Sequence, residues 1–246
     1  PAPGSAIDDI DAAYQAALAV RALRIARGEK PVGFKVGFTN RTIWERYRVF
    51  APIWGTVWNT TLHFCEGRGA MPLRGLCQPR LEPEIVFGMR ATPPTQPSLE
   101  QLFDCVDWLA PCFEIVQSHC ADWVFTAAQT VADGGLHGRL LAGPRVPVRD
   151  LADHGATLEA RLAACSVRLL RGDTLVERGL GRNVLDGPLH ALRHFVLELQ
   201  RCPDAPTLSP GDAVTTGTWT DAWPLQAGET WRAEFDAPLP SIEITL

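Results

Sequence analysis

The sequence has no uninterrupted apolar run of the roughly 18 residues that a membrane-spanning helix needs. No stretch is densely basic, and the formal net charge is −5. Clustered Lys and Arg are what grips a phosphate backbone, so nucleic acid is not an expected partner. The seven cysteines (Cys65, Cys77, Cys105, Cys112, Cys120, Cys165 and Cys202) are odd in number and widely spaced, and none forms a CxxC pair. That argues against a disulfide framework and a zinc site, and for reduced thiols in a cytoplasmic protein. G-x-S-x-G is absent, as are G-x-G-x-x-G and G-K-[ST], so neither a serine-hydrolase elbow nor a nucleotide cradle is indicated. No signal peptide is visible, although the chain opens on Pro1 rather than Met.

What is present fits one large domain, or a smaller one behind an N-terminal arm: 246 residues, 46% hydrophobic and 21% charged. The 21 glycines and 20 prolines favour many turns and short strands over a helical bundle. Residues 5–28 have a helical period, with Ile7, Ile10, Tyr14, Leu18, Ala22 and Ile25 on one face, Ser5 and Asp8 as a capping pair and Gly28 as the stop. PVGFKVGF then alternates, a short helix is expected over Thr42–Tyr47, and residues 50–79 read as loops and short strands. A strand over Pro83–Met89 follows. Ser98 and Gln101 cap a helix expected to end before Pro111, CFEIVQ is a second strand, and residues 121–130 suggest another helix. Leu158–Glu177 reads as a hairpin turning at Gly172-Asp173, and Pro188 starts a helix that buries Leu189, Leu192, Val196 and Leu199. AVTTGT, TWRAEF and IEITL are strands again. Helices and strands do not alternate regularly, so a rolled, mainly β core with helices around it fits better than a parallel α/β fold.

Within LEPEIVFGM, Glu82 and Glu84 are i and i+2 of a strand, on one face and ~7 Å apart along the backbone. Ile85, Phe87 and Met89 face the other way, into a core. Like charges in a half-buried place repel and lose hydration, and a divalent cation is the simplest compensation; pairing with Arg80 or Arg90 on a solvated face is the alternative. Glu114 is a third carboxylate among apolar strand residues. Lys35 sits between Gly33 and Gly37, where a ligand or another backbone can approach. Held near a metal and out of water, its charged form would be disfavoured; as a surface residue it would snorkel.

The ordered set GFKVGFTN, APIWG, LEPEIVFGM, FEIVQS…DW…TVADGG, GRNVLDGPLHAL and LSPGDAVTTGT resembles the 2-keto-4-pentenoate hydratase and 4-oxalocrotonate decarboxylase branch of the fumarylacetoacetate hydrolase superfamily, from about residue 5 to the C-terminus. The resemblance implies an α+β fold: a mixed β-roll catalytic domain over residues 32–246 with surrounding helices, preceded by an N-terminal helical arm over 1–31. It implies Mg²⁺ or Mn²⁺ held by Glu82, Glu84 and Glu114, with Lys35 as an active-site lysine. The implied activity is hydration of a small 2-hydroxydienoate or 2-oxo-alkenoate through a metal-stabilised enolate, in aromatic-compound catabolism. Decarboxylation of a 4-oxalocrotonate-like 2-oxo diacid is the alternative, and a metal-binding relative without catalysis a third. A homo-oligomer taking a small 2-oxo acid is expected. Two departures stand out. Ile53-Trp54-Gly55 replaces an Asp-Phe-Gly or Asp-Tyr-Gly triplet, which makes Ile53 and Trp54 candidate substrate contacts in a drier pocket. Ala132-Asp133-Gly134-Gly135-Leu136 replaces ADNAS, so His137 or Asp133 would supply the missing proton donor or water-positioning group. His137 as a structural, hydrogen-bonded residue is the competing reading. Thr216, Gly217 and Thr218 are expected to bind the substrate carboxylate, and Arg139 to pair with an anion or a surface glutamate. Most of the eight tryptophans are expected in the core or a subunit interface.

Overall fold

A computed structural model describes residues 9–246. The chain runs α1 (Ile10–Ala26), β1 (Pro31–Gly37), α2 (Trp44–Tyr47), β2 (Ile53–Trp58), β3 (Leu62–Phe64), β4 (Arg68–Ala70) and β5 (Arg80–Met89). It continues through α3 (Leu99–Cys105), β6 (Val106–Val116), α4 (Ala127–Ala132), β7 (His137–Ala142), β8 (Val146–Pro147), α5 (Val148–Leu151), α6 (Gly155–Ala164), β9 (Ser166–Arg171) and β10 (Thr174–Leu180). Helix α7 (Pro188–Arg201) and strands β11 (Ala213–Thr215), β12 (Trp223–Pro224), β13 (Thr230–Phe235) and β14 (Ile242–Thr245) complete it.

The larger sheet has the order β2-β1-β11-β5-β6-β7-β3, with β12 beside β5 and β8 beside β6; the smaller has the order β10-β9-β13-β14-β4. Three pairs are parallel (β1/β11, β3/β7 and β4/β14) and the rest antiparallel, so the sheets are mixed and the fold is α+β, as expected. The central strand β5 is buried on both faces. Leu81, Ile85, Phe87 and Met89 enter the main core with Phe113, Phe195 and Trp231. On the opposite face Val86 packs with Ala110, Cys112 and Leu140 in a small second core. Each fully buried side chain of this kind contributes about 1.5–3 kcal/mol. Glu82 and Glu84 lie on that second face, so the acidic cluster continues an apolar surface.

Some expectations need correction, and one lies outside the described residues. The capping pair Ser5 and Asp8 lies outside the described residues; α1 is capped at Asp9, whose carboxylate accepts from Ala12 N at 3.0 Å. The buried face of α1 is carried by Ala13 and Tyr14, while Ala22 and Ile25 are exposed. Helix α3 ends at Cys105, before Pro111 as expected, but the strand after it starts at Val106 rather than Cys112 and runs straight through Pro111. It can do so because β8 pairs only with Trp108 and Leu109 and β7 begins pairing at Cys112, so no ladder bond is asked of the Pro111 nitrogen. Residues 155–164 form a helix, since ATLEARLAA is rich in strong helix formers and places Leu158 and Leu162 four apart on the buried side. The hairpin itself, β9 to β10, does turn at Gly172-Asp173. Finally, residues 121–130 split into one tight turn and α4, whose capping box of Thr126 and Gln129 starts the helix later.

Candidate active site

The site grows from the acidic face of β5. Glu82 and Glu84 project to the same side, and Glu114 on β6 stands directly opposite Glu82 in the strand register. One carboxylate oxygen from each residue lies within 4.8 Å of those of the other two. Lys35 arrives from β1: its Nζ is 3.2 Å from Glu114 Oε2 and donates to the Gly135 carbonyl at 2.8 Å. Gly135 has a φ of +71°, and a Cβ there would sit 2.8 Å from Lys35 Cδ, so this position accepts the lysine only as glycine. Gly217, just beyond β11, has a φ of +90°, and its N–H donates to Glu84 Oε2 at 2.8 Å. Gly33 allows backbone rather than ligand to approach: its α-carbon lies against Ala213 of β11.

Glu84 and Glu114 are fully buried, and Lys35 is 3% exposed. Burial pushes the Glu82 carboxyl up to about 7, against the pull of Lys35. Burial also drives Glu84 well above the ordinary carboxylate value, and the neighbouring Glu114 and Glu82 charges add to it. For Glu114, burial acts in the same direction, yet Lys35 and His137 outweigh it and hold the group below its usual value. For Lys35 the balance in the metal-free cluster favours the charge. Burial does oppose its charge, but Glu114, Glu82 and Glu84 more than compensate, so its pKa is raised and the ammonium form is favoured. The cluster remains short of positive charge. Glu84 Oε1 is buried and accepts no hydrogen bond, and buried Glu114 Oε2 has only the Lys35 ammonium, 3.2 Å away, as its partner. Three converging carboxylates with a bare oxygen among them are the donor set of a hard divalent cation, and the residues present fit one.

A cavity of about 370 Å³ opens beside the cluster. Lys35, Glu82, Ile53, Gly217 and Thr218 form one wall, with Glu84 and Glu114 close behind it. Aromatic side chains also wall it: Phe38 stacks on Tyr47 at 4.9 Å, Tyr47 on Phe125 at 5.7 Å, and Trp123 tilts against Phe125 at 5.9 Å. Arg80 lies over Trp123 at 4.1 Å, and Arg46 over Tyr47 at 5.4 Å.

The remaining expected residues divide. Ile53 lines the cavity, whereas Trp54, next along β2, points away and stacks on Tyr14 at 4.7 Å. Thr216 is fully buried, its hydroxyl donating to the Ile85 carbonyl at 3.2 Å, so Gly217 and Thr218 alone of that trio reach the cavity. His137 and Asp133 do not line it. They face a second cavity of about 250 Å³ on the other side of β2. The two spaces are divided where Gly55 packs on the Gly134 carbonyl so closely that a Cβ would lie 1.9 Å from it. Asp133 pairs with His119 Nδ1 at 2.8 Å, and it is the Gly135 carbonyl that receives Lys35. Arg139 binds the backbone carbonyls of Pro72 and Arg74 rather than an anion. Sequence reasoning overlooked the aromatic wall and the cavity role of Arg80. The latter had a signal: Arg80, Glu82 and Glu84 are i, i+2 and i+4 of one strand face.

No family model matches the chain. It is 30% identical to 2-keto-4-pentenoate hydratase 1 of Dechloromonas aromatica over 233 residues, covering 94% of this chain and 84% of that protein. The chain belongs to the 2-keto-4-pentenoate hydratase family. The chain is also 26% identical to 2-hydroxyhexa-2,4-dienoate hydratase of Comamonas testosteroni, over 89% of the chain and 80% of that protein. The same fold appears in 4-oxalocrotonate decarboxylase from Pseudomonas putida G7, complexed with magnesium and adipate. The TM-score is 0.85 at 23% identity, over 96% of this chain and 86% of that one.

Proposed function

We propose that the chain is a divalent-metal-dependent hydratase of small 2-hydroxydienoates and 2-oxo-alkenoates of the 2-keto-4-pentenoate type. The observation that carries this reading is the Glu82–Glu84–Glu114 cluster, with a bare buried oxygen and one lysine, at the wall of a cavity sized for a small acid. Mg²⁺ or Mn²⁺ would be held by these three glutamates. When bound, it supplies Lewis acidity towards the substrate's carboxylate and C2 oxygen. The protein's own groups do the rest. Lys35 holds a proton at Nζ, since the carboxylates around it favour the ammonium, and it is the group on the wall placed to pass one to the substrate. Gly217 and Thr218 border the cavity where the substrate's carboxylate end would sit, although the Gly217 N–H is itself given to Glu84. With Asp133 and His137 on the far side of β2, the Thr218 hydroxyl oxygen, whose hydrogen goes to the Thr220 carbonyl, is left to accept a hydrogen bond from the water that adds. Ile53 and the aromatic wall keep the rest of the cavity dry.

The test is loss of dienol absorbance from 2-hydroxypenta-2,4-dienoate with Mg²⁺ or Mn²⁺, with and without EDTA. Turnover that EDTA abolishes supports the proposal; turnover unaffected by EDTA overturns the metal reading. A second reading, decarboxylation of a 2-oxo diacid, is favoured by one feature. Arg80 lines the cavity two residues outward from Glu82, stacked on Trp123 and in no salt bridge among the described residues, where a second carboxylate would meet it. Rapid CO₂ release from such a diacid, with no hydration of the dienoate, would put this reading first.

A further inference from the structure

Glu114 is gripped from behind. His137 Nδ1 lies 2.8 Å from Glu114 Oε1, and its Nε2 lies 2.8 Å from Thr61 Oγ1. An ionised carboxylate can only accept, so the ring hydrogen is on Nδ1 and the histidine is the donor. Thr61 is itself fixed, since its hydroxyl oxygen accepts from Trp58 N at 3.1 Å at the end of β2. The imidazole is 4% exposed and bonded at both nitrogens, so it has neither room nor reason to turn. The carboxylate it holds would otherwise be a soft rotor, because the last torsion of a glutamate is broad and nearly two-fold. With Oε1 taken by His137, Oε2 is the oxygen turned into the cluster, where it faces Lys35 Nζ at 3.2 Å.

We propose that His137 is a positioning residue for the cation site: locked by Thr61, it anchors Glu114 through Oε1 and so presents Oε2 to the divalent ion. This rests on reading the three glutamates as a cation site, and it gives His137 a purpose different from a proton donor in the substrate cavity. Hydrogen bonds to a ligating group from behind fix its direction, and losing one lowers metal affinity roughly 10- to 100-fold.

The experiment compares Mn²⁺ binding, by calorimetry and by the Mn²⁺ resonance signal, in the parent protein and in His137→Asn, His137→Gln and Thr61→Val. Asparagine places an amide N–H near the position of Nδ1 and can still donate to Glu114. Glutamine carries its amide further out, towards Thr61, and cannot. His137→Asn is expected within about threefold of the parent, and His137→Gln roughly 10-fold weaker or worse. Thr61→Val is expected to be weakened by about threefold through a less constrained ring. The two His137 variants are both polar and similarly sized, so a general loss of packing would affect them alike. Equal affinities for Asn and Gln, whether both unchanged or both reduced, would overturn the positioning role while leaving the cation site standing. A parent protein that binds no Mn²⁺ would instead overturn the cation reading and this inference with it.

Discussion

Among the described residues the molecule buries carboxyl groups in two places and treats them differently. Glu159 on α6 is 6% exposed, and its Oε2 accepts from Leu189 N at 2.7 Å, at the N-terminus of α7. One acid, one helix end and one proton make a workable arrangement, because the positive pole of a helix favours the acceptor and the proton removes the charge. At the Glu82–Glu84–Glu114 cluster three acids share one lysine and one histidine, and the groups are pulled apart: Glu114 below its usual value, Glu82 and Glu84 above. Burial of an acid is therefore not in itself a sign of function here. The sign is an excess of acids over the cations the chain supplies.

The largest expected effect separates the two places directly. Glu84→Gln should lower activity roughly a hundredfold or more and weaken Mn²⁺ binding, because it removes a proposed ligand. Its metal-free form should melt no lower than the parent's, since a carboxylate has left a repelling cluster. Glu159→Ala should do the reverse: a loss of about 1–2 kcal/mol in stability with Mn²⁺ affinity unchanged. If both variants lose stability alike and both keep the metal, the distinction is false. Lys35→Met tests the charge count within the cluster. Removing the one ammonium should strengthen Mn²⁺ binding several-fold, as less positive charge remains to repel the ion, while kcat falls by roughly 10²-fold or more. Weaker metal binding in this variant would mean that Lys35 organises the glutamates rather than competing with the cation.

Acidity provides the next contrast. In the folded chain the Glu159 carboxyl, pushed by burial from 4.5 up to about 7, keeps a proton that the unfolded chain releases. The folded value is the raised one, so the contribution to stability is complete below about pH 4.5 and is lost as the pH rises through about 7. That span corresponds to about 3 kcal/mol. Glu159→Gln keeps an acceptor for Leu189 and cannot ionise. Urea unfolding should find it more stable than the parent at about pH 8, with the two curves converging as the pH falls. Curves that stay parallel would place the Glu159 pKa near its ordinary value.

The parts of the site that could be read from the sequence were those set by strand alternation and by motif order. Glu82 with Glu84, the inward Ile85, Phe87 and Met89, and the glycine-flanked Lys35 all follow from a period of two. The capping box at Ser98 and Pro188 at the start of α7 were legible because those signals are local. What could not be read depends on which strands become neighbours. Nothing in residues 132–137 tells that the Gly55–Gly134 contact divides two cavities, placing Asp133 and His137 behind the cluster rather than before the substrate. Thr61 carries no local signal either; it matters only because β2 ends beside β7. The aromatic wall is assembled from Phe38, Tyr47, Trp123 and Phe125, segments some eighty residues apart, which no periodicity links.

The smallest expected effect belongs to Asp133. Its pairing with His119 is half open to solvent, at the mouth of the second cavity, and exposed pairs of this kind contribute about 0–1 kcal/mol. Asp133→Asn keeps the shape and an acceptor, so kcat should change by less than about threefold and the stability by less than about 1 kcal/mol. The small size of the change is what makes it informative. Asp133 lies only two residues from Gly135, whose carbonyl holds Lys35, so sequence proximity alone would assign it to the chemistry. A kcat loss of a hundredfold with Mn²⁺ affinity intact would show that β2 does not seal the two cavities from each other and that a proton or a water crosses between them.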